Sequence, residues 1–248
     1  MNTAVLLSKM DKPLPLLKRL LLPRDIRQRL HGNPELKQLY LTQTSINNKR
    51  IVKKPVNESR FIILDTETTG LHAYAGDEII SIAMLEYQGL EPTGRQYEHY
   101  INPQRPISAE STAIHGITDS DVRTAPPIKE LLPEIMDFID DAILVGHHIQ
   151  FDFRFLNKIL KPYLGFQLKN PWLDTMLLFL AHQGRLGHYQ LEEVASACNV
   201  RIQHRHSALG DAHAAAEIFS YLASHLSSPA ESVMNLINQQ FNEIIVQP

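Results

Sequence analysis

The sequence predicts an α/β protein, a mixed central β-sheet flanked by helices, behind a basic N-terminal extension. Three observations predict it. The apolar run "FIIL" at residues 61–64 leads straight into "DTETTG", as a buried strand ending in a polar loop would. Strand-like segments come first and then alternate with helix-like ones, the order of a mixed sheet covered by helices. Further along, Phe151, Phe155, Leu156, Ile159 and Leu160 recur at the spacing of a helix packed on a core.

Residues 1–58 read as an extension. "DKPLPLLKRLLLP" and "RDIRQRLHGNPELKQLYLTQ" each suit a short helix interrupted by proline, and "NNKRIVKKPVNES" reads as a polar linker without periodicity. The main domain is expected over residues 59–228. "RFIILDTE" is its central strand. "DEIISIAMLEYQ" and "RQYEHYINP" are two more, with "GLEPTG" as the turn between them. "SAESTAIHGIT" opens a short helix at Ser108, and "PPIKELLPEIMDFID" is a helix with proline at its start, where a missing N–H does little harm. "AILVGHH" is a short strand and "FDFRFLNKILKPYL" the helix after it. "DTMLLFLAHQ", "YQLEEVASACNV" and "SALGDAHAAAEIFSYLASHL" complete the domain as helices. "AESVMNLINQQFNEII" predicts an amphipathic helix within residues 229–248.

Composition narrows the class. The chain has 248 residues, 44% apolar and 21% charged, enough for one sizeable domain with extensions or for two small ones. A lone cysteine, Cys198, excludes an internal disulfide and fits a reducing compartment. No run approaches the roughly 18 apolar residues of a membrane span. The N-terminal apolar patches are broken by Lys9, Lys12, Lys18 and Arg19, with no signal-peptide pattern. A cytoplasmic protein with no membrane partner is the expectation. The formal charge of −3 hides an asymmetry: residues 1–60 carry 13 Lys and Arg against 4 Asp and Glu, and the remainder 11 against 23. A basic arm on an acidic body suggests an anionic partner. A leader folded against the acidic body explains the same count.

Residues i and i+2 of a strand share a face, so Asp65 and Glu67 would sit side by side where a buried strand ends. One such carboxylate is ordinarily a cap or turn residue. Two repel each other, more so in a low dielectric, unless a divalent cation neutralises them, and hard cations take oxygen ligands. Further carboxylates are available. Asp152 begins the helix after a second apolar strand. Asp211 shares the side of an alanine-rich helix with Ala208, Ala212, Ala215 and Phe219, where a charge is costly unless paired, capped or metal-bound. His206, five residues before Asp211, can lie near the same site.

These segments resemble the proofreading 3′–5′ exonuclease family typified by the epsilon subunit of bacterial DNA polymerase III, in its DEDDh subgroup of four acidic residues and a histidine. "LDTETTGL", "GHHIQFDFRFL" and "HSALGDA" match its three motifs in order, "AIHGIT" a substrate-contacting segment and "LDTMLLF" a further one. The likeness covers roughly residues 60 to 225. It implies a ribonuclease H-like fold and hydrolysis assisted by two Mg²⁺ or Mn²⁺ ions per site. By the resemblance, Asp65, Glu67 and Asp211 bind the first metal, Asp65 bridges to the second, and Asp152 holds the second directly or through water. His206 is the general base. Glu110 and His115 contact the terminal nucleotide, and Thr66, Thr68 and Thr69 line its pocket. His148 stands where the second motif usually has asparagine, which bears on substrate preference more than on catalysis.

The implied activity is removal of nucleoside 5′-monophosphates from single-stranded 3′ ends, of DNA first, in replication proofreading or DNA repair, with a DNA polymerase subunit as a candidate partner. The alternatives are RNA 3′-end trimming of the ribonuclease T or oligoribonuclease kind, and a non-catalytic polymerase-associated nucleic-acid-binding module. The intact carboxylates count against the latter, since a polyanion binder gains nothing from an acidic cluster. His204, His206 and His213 raise the rival of a zinc hydrolase.

Overall fold

The computed structural model describes residues 22–245, with side chains as far as Phe241. The predicted helix over residues 11–23 lies almost wholly outside them. "RDIRQRLHGNPELKQLYLTQ" forms two helices, α1 (Arg24–Gly32) and α2 (Pro34–Ser45). The break falls at Asn33, whose side chain accepts the Leu36 N–H, with Pro34 opening the second helix. A helical turn, α3 (Asn48–Ile51), follows.

The main domain runs β1 (Arg60–Thr68), β2 (Ile79–Gln88), β3 (Glu91–Tyr100), α4 (Ala109–His115), α5 (Asp119–Val122), α6 (Ile128–Ile139), β4 (Ile143–Gly146), α7 (Gln150–Leu164), β5 (Trp172–Asp174), α8 (Thr175–Gln183), α9 (Leu191–Ala197) and α10 (Ala208–Leu226). Helix α11 (Val233–Ile245) closes the order. The sheet order is β3-β2-β1-β4-β5. β1, β2 and β3 are antiparallel neighbours, while β4 and β5 run parallel to β1, so the sheet is mixed as expected.

Within the sheet, two details differ from the sequence reading. The hairpin turn shrinks to Gly89–Leu90, with Gly89 at φ 62°, and β3 begins at Glu91. Pro92 is tolerated because β3 is an edge strand. β5 was not expected, since three residues are too few to show an alternating pattern.

Alternation along β1 divides the core. Ile62 and Leu64 face α6 and α7, whereas Phe61 and Ile63 face α8 and α10. All four are fully buried, and the Phe61 ring lies 4.9 Å from that of Phe219 on α10. The N-terminal segment joins the first of these layers. Ile26, Leu30, Leu36 and Tyr40 are buried in it, and Gln43 Nε2 donates to the Asp140 carbonyl at 3.1 Å. The stretch read as a linker is folded as well. Val56 N–H donates to Glu231 O at 2.8 Å, and the N–H groups of Val233 and Met234 return to Lys54 O and Val52 O. Its few apolar residues, Ile51, Val52 and Val56, are the ones that bury, and the segment straps α11 to the domain. No helix among the described residues is long and apolar enough to cross a membrane.

Leu30 is fully buried, so Leu30→Ala should cost about 2–5 kcal/mol in denaturant unfolding, the range for a buried leucine. An unchanged midpoint would mean that the extension lies on the domain without stabilising it.

Candidate active site

β1 outruns its parallel neighbour. Its pairing with β4 covers Phe61–Ile63 only, whereas its pairing with β2 continues through Asp65↔Ala83 and Glu67↔Ser81 before the register shifts at Thr68. Asp65 and Glu67 therefore project past the end of β4, on the face covered by α10. Asp211 meets them there from the first turn of α10, where the helix N-terminus favours negative charge. Ser207 caps that turn by accepting the Gly210 N–H at 3.1 Å. A Cβ at position 210 would lie 2.3 Å from His204 O, so only glycine lets the preceding loop close on the helix. One carboxylate oxygen from each of Asp65, Glu67 and Asp211 falls within 4.8 Å of the others.

Asp152 arrives from the opposite layer. The chain leaves β4 through Gly146, where a Cβ would meet Leu64 O at 2.9 Å, and turns into α7. Thr66, pointing to the other face from Asp65, donates its hydroxyl to Asp152 Oδ1 at 2.6 Å. Four carboxylates thus straddle one strand end.

Burial, joined by repulsion from neighbouring carboxylates at Asp65 and Glu67, raises their proton affinities. Burial, then the charges of Asp152, Asp211 and Glu67, push Asp65 well above the usual carboxylate range, with Arg205 pulling the other way. Burial and Asp211 push Glu67 up to about 7. Burial pushes Asp152 up to about 7 against the Thr66 hydrogen bond. Asp211 is raised by burial and lowered by Arg205, whose Nη1 donates to Asp211 Oδ2. Glu192 holds the far side of that guanidinium at 2.6 Å. Asp211 Oδ1, by contrast, is buried with no hydrogen-bond partner. Such an oxygen costs free energy unless a cation or donor reaches it. The chemistry of the donor set therefore fits a hard divalent cation.

A pH dependence follows. With raised pKa values the folded chain holds protons that the unfolded chain releases, so stability falls as pH rises from about 4, the ordinary carboxylate value, to about 7. In excess chelator, the melting temperature should drop across that window. Added Mg²⁺ should raise it more at pH 8 than at pH 5. A stabilisation by Mg²⁺ independent of pH would contradict the cation's neutralising this cluster.

The other expected residues are placed as follows. The Thr68 hydroxyl donates to Gly70 O, and that of Thr69 to Asp77 Oδ1 at 3.2 Å. Ser111 Oγ donates to Thr69 O and docks α4 beside the strand end. Glu110 lies exposed in the first turn of α4, while His115 at its last turn is half-buried. Its Nδ1 accepts the Ile117 N–H, and its buried Nε2 has no partner. His148 adopts φ 57°, a left-handed conformation in which Asn and His are enriched, which accounts for imidazole in the asparagine position. Its ring stacks on His188 at 4.6 Å, its backbone N–H donates to Asp174, and its buried Nε2 is unpartnered. His206 lies beside Arg205, with Nδ1 3.1 Å from the Arg205 Nη1. His204, His206 and His213 form no metal-ligating group among the described residues, so the zinc reading lacks its ligands.

Three neighbours of the cluster were not expected from the sequence. Arg205 and Glu192 flank the carboxylates, and buried Asp174 accepts N–H bonds from His148, Ile149 and Met176, fixing the turn that aims Asp152. The signal for Asp174 was its place before a helix, as an N-cap.

A sequence profile of the exonuclease family RNase T matches residues 62–219, and the chain belongs to that family. The chain is 38% identical over 181 residues to a DNA polymerase III subunit epsilon-like protein of Rhodobacter capsulatus, covering 72% of this chain and 26% of that one. It is 36% identical over 186 residues to a PolC-type DNA polymerase III of Caldanaerobacter subterraneus, covering 75% and 13%. The chain thus spans about a quarter or less of the length of these curated relatives. Among solved structures, Exonuclease X in complex with 5′ overhanging duplex DNA superimposes with TM-score 0.55 at 22% identity, covering 71% of this chain and 99% of that one. E. coli Exonuclease I in complex with a dA16 oligonucleotide gives TM-score 0.58 at 19% identity, covering 67% and 41%. The fold is that of the ribonuclease H-like exonucleases.

Proposed function

We propose that the chain is a metal-dependent 3′–5′ exonuclease that removes nucleoside 5′-monophosphates from single-stranded 3′ ends, DNA above RNA, in replication proofreading or repair. The convergence of Asp65, Glu67 and Asp211, with Asp211 Oδ1 buried and unpartnered, is the observation that carries the reading. These three would hold one Mg²⁺ or Mn²⁺, and Asp65 with Asp152 a second. Bound there, the cations would neutralise charge on the phosphate and on the departing oxygen. Thr66 orients Asp152. His206 takes the proton of the attacking water, and the 3′ oxygen leaves with the shortened strand. Glu110, His115 and the 66–69 segment border the end of β1, where the terminal nucleotide would sit. The epsilon-like and PolC-type names of the relatives support DNA as substrate and a polymerase as partner.

Matched DNA and RNA oligonucleotides labelled at the 5′ end test the reading. The expected result is stepwise shortening from the 3′ end, faster on DNA, with 5′-mononucleotides as product. Faster RNA shortening would favour the trimming alternative, and binding without shortening would favour the non-catalytic one.

A further inference from the structure

Away from the carboxylates, a groove of about 680 Å³ runs along the outer edge of β5. It opens only because both chain extensions fold back onto the domain. Asn48 and Lys49 come from α3, Met234, Ile237 and Phe241 from α11, and the floor is α7 and the 167–172 segment. Its lining includes three exposed cations, Lys49, Arg154 and Lys169, and no carboxylate, in a chain of net charge −3. None of the three is in an ion pair among the described residues. Apart from the Tyr74 hydroxyl and the Trp172 indole, the other polar side chains that line it are amides. Aromatic surface also lines it: Tyr74 is 71% exposed, and the half-buried Trp172 ring stands edge-on to Phe241 at 5.5 Å.

Position adds a second argument. At the active-site end the groove is bordered by Gln150 and Tyr74. Gln150 lies in the same helical turn as Asp152, and Tyr74 follows the loop that leaves β1. From Gln150 to Asn157 the α7 wall runs two turns, about 10 Å, room for about three stacked nucleotides.

We propose that this groove holds the single strand 5′ to the terminal nucleotide, its phosphates against Lys49, Arg154 and Lys169 and its bases on Tyr74 and Trp172. The proposal rests on the exonuclease reading for the strand's polarity. Cations tracking a backbone, interleaved with aromatic faces and amides, are the chemistry of sequence-tolerant single-strand binding. An uncharged protein segment would call for no such set of cations.

The test compares the wild-type chain with a combined Lys49→Gln, Arg154→Gln, Lys169→Gln variant. Two readouts are taken: fluorescence-anisotropy binding of an oligothymidylate of about 12 residues, within the usual range of single-strand site sizes, and hydrolysis of the p-nitrophenyl ester of thymidine 5′-monophosphate. That ester is too short to reach the groove. Each phosphate contact contributes about 0.7 to the salt slope of single-strand binding, so the slope should flatten by about 2 and affinity fall up to about 100-fold at about 0.1 M salt. Ester hydrolysis should keep its wild-type rate. Tyr74→Ala, at an exposed position that the fold does not need, should weaken the same binding about 5-fold or more through lost stacking. Wild-type affinity and salt slope in the combined variant would overturn the proposal, as would parallel loss of ester hydrolysis. If the wild-type chain hydrolyses neither substrate, the exonuclease reading falls, and the anisotropy data still decide whether the groove binds the strand.

Discussion

Asp211→Asn should lower turnover by about 10³-fold or more while leaving the chain folded. A metal clamp contributes several kcal/mol to phosphoryl transfer, at about 1.4 kcal/mol per factor of ten. Asp211 is buried at 3% exposure among groups of its own sign, and its unpartnered Oδ1 has no other role among the described residues. The amide keeps the side chain's shape and removes its charge. In excess chelator the variant should melt above the wild type, because repulsion with Asp65 and Glu67 is relieved and burial of a charge is avoided. Asp65→Asn should behave alike, since it sits between Asp152 and Asp211 in the electrostatics of the cluster. Thermal melts with and without Mg²⁺, alongside turnover, check both halves. Lower stability of Asp211→Asn in chelator would mean that its pairing with Arg205 outweighs the repulsion.

His206→Ala should cost about 10²–10⁴-fold in turnover, the range for loss of a general base, with metal affinity nearly unchanged. The ring lies beside the carboxylates and outside the converging ligand set. A guanidinium can only donate, so in its contact with Arg205 the His206 Nδ1 accepts and the ring proton resides on Nε2. Taking a proton at Nε2 requires that contact to loosen. A cation at Asp211 would compete with Arg205 for the same carboxylate, which links metal binding to release of the base. The pH–rate profile should change in His206→Ala, because another group then limits proton removal. Calorimetric metal titration separates the roles. If metal binding is lost in step with activity, the histidine is a ligand.

The carboxylates were legible because each breaks a local rule. Asp65 and Glu67 end an apolar strand, and Asp211 interrupts an alanine-rich helix that is otherwise buried. Asp152 stood out by its place after a second apolar strand and His206 by its nearness to Asp211, but their roles came from the motif resemblance, since an acid near a helix start is common. Arg205 was not legible, because a basic residue in a basic stretch carries no mark of the guanidinium's pairing with Asp211 and Glu192. Asp174 was hidden with β5, whose three residues owe their extended form to pairing with β4. The strap of residues 52–57 escaped for a related reason: it is held by backbone hydrogen bonds to residues 229–234, and those leave no side-chain pattern. The groove beside β5 draws on segments more than 100 residues apart and exists only in the assembled fold.

The central claim is that the carboxylates at the end of β1 are held for divalent cations that drive hydrolysis. Incubation of a 5′-labelled single-stranded DNA with the wild-type chain, in Mg²⁺ or in excess chelator, tests it most directly. A ladder that shortens from the 3′ end in Mg²⁺ and an intact strand in chelator are expected. Undiminished shortening in chelator would contradict it.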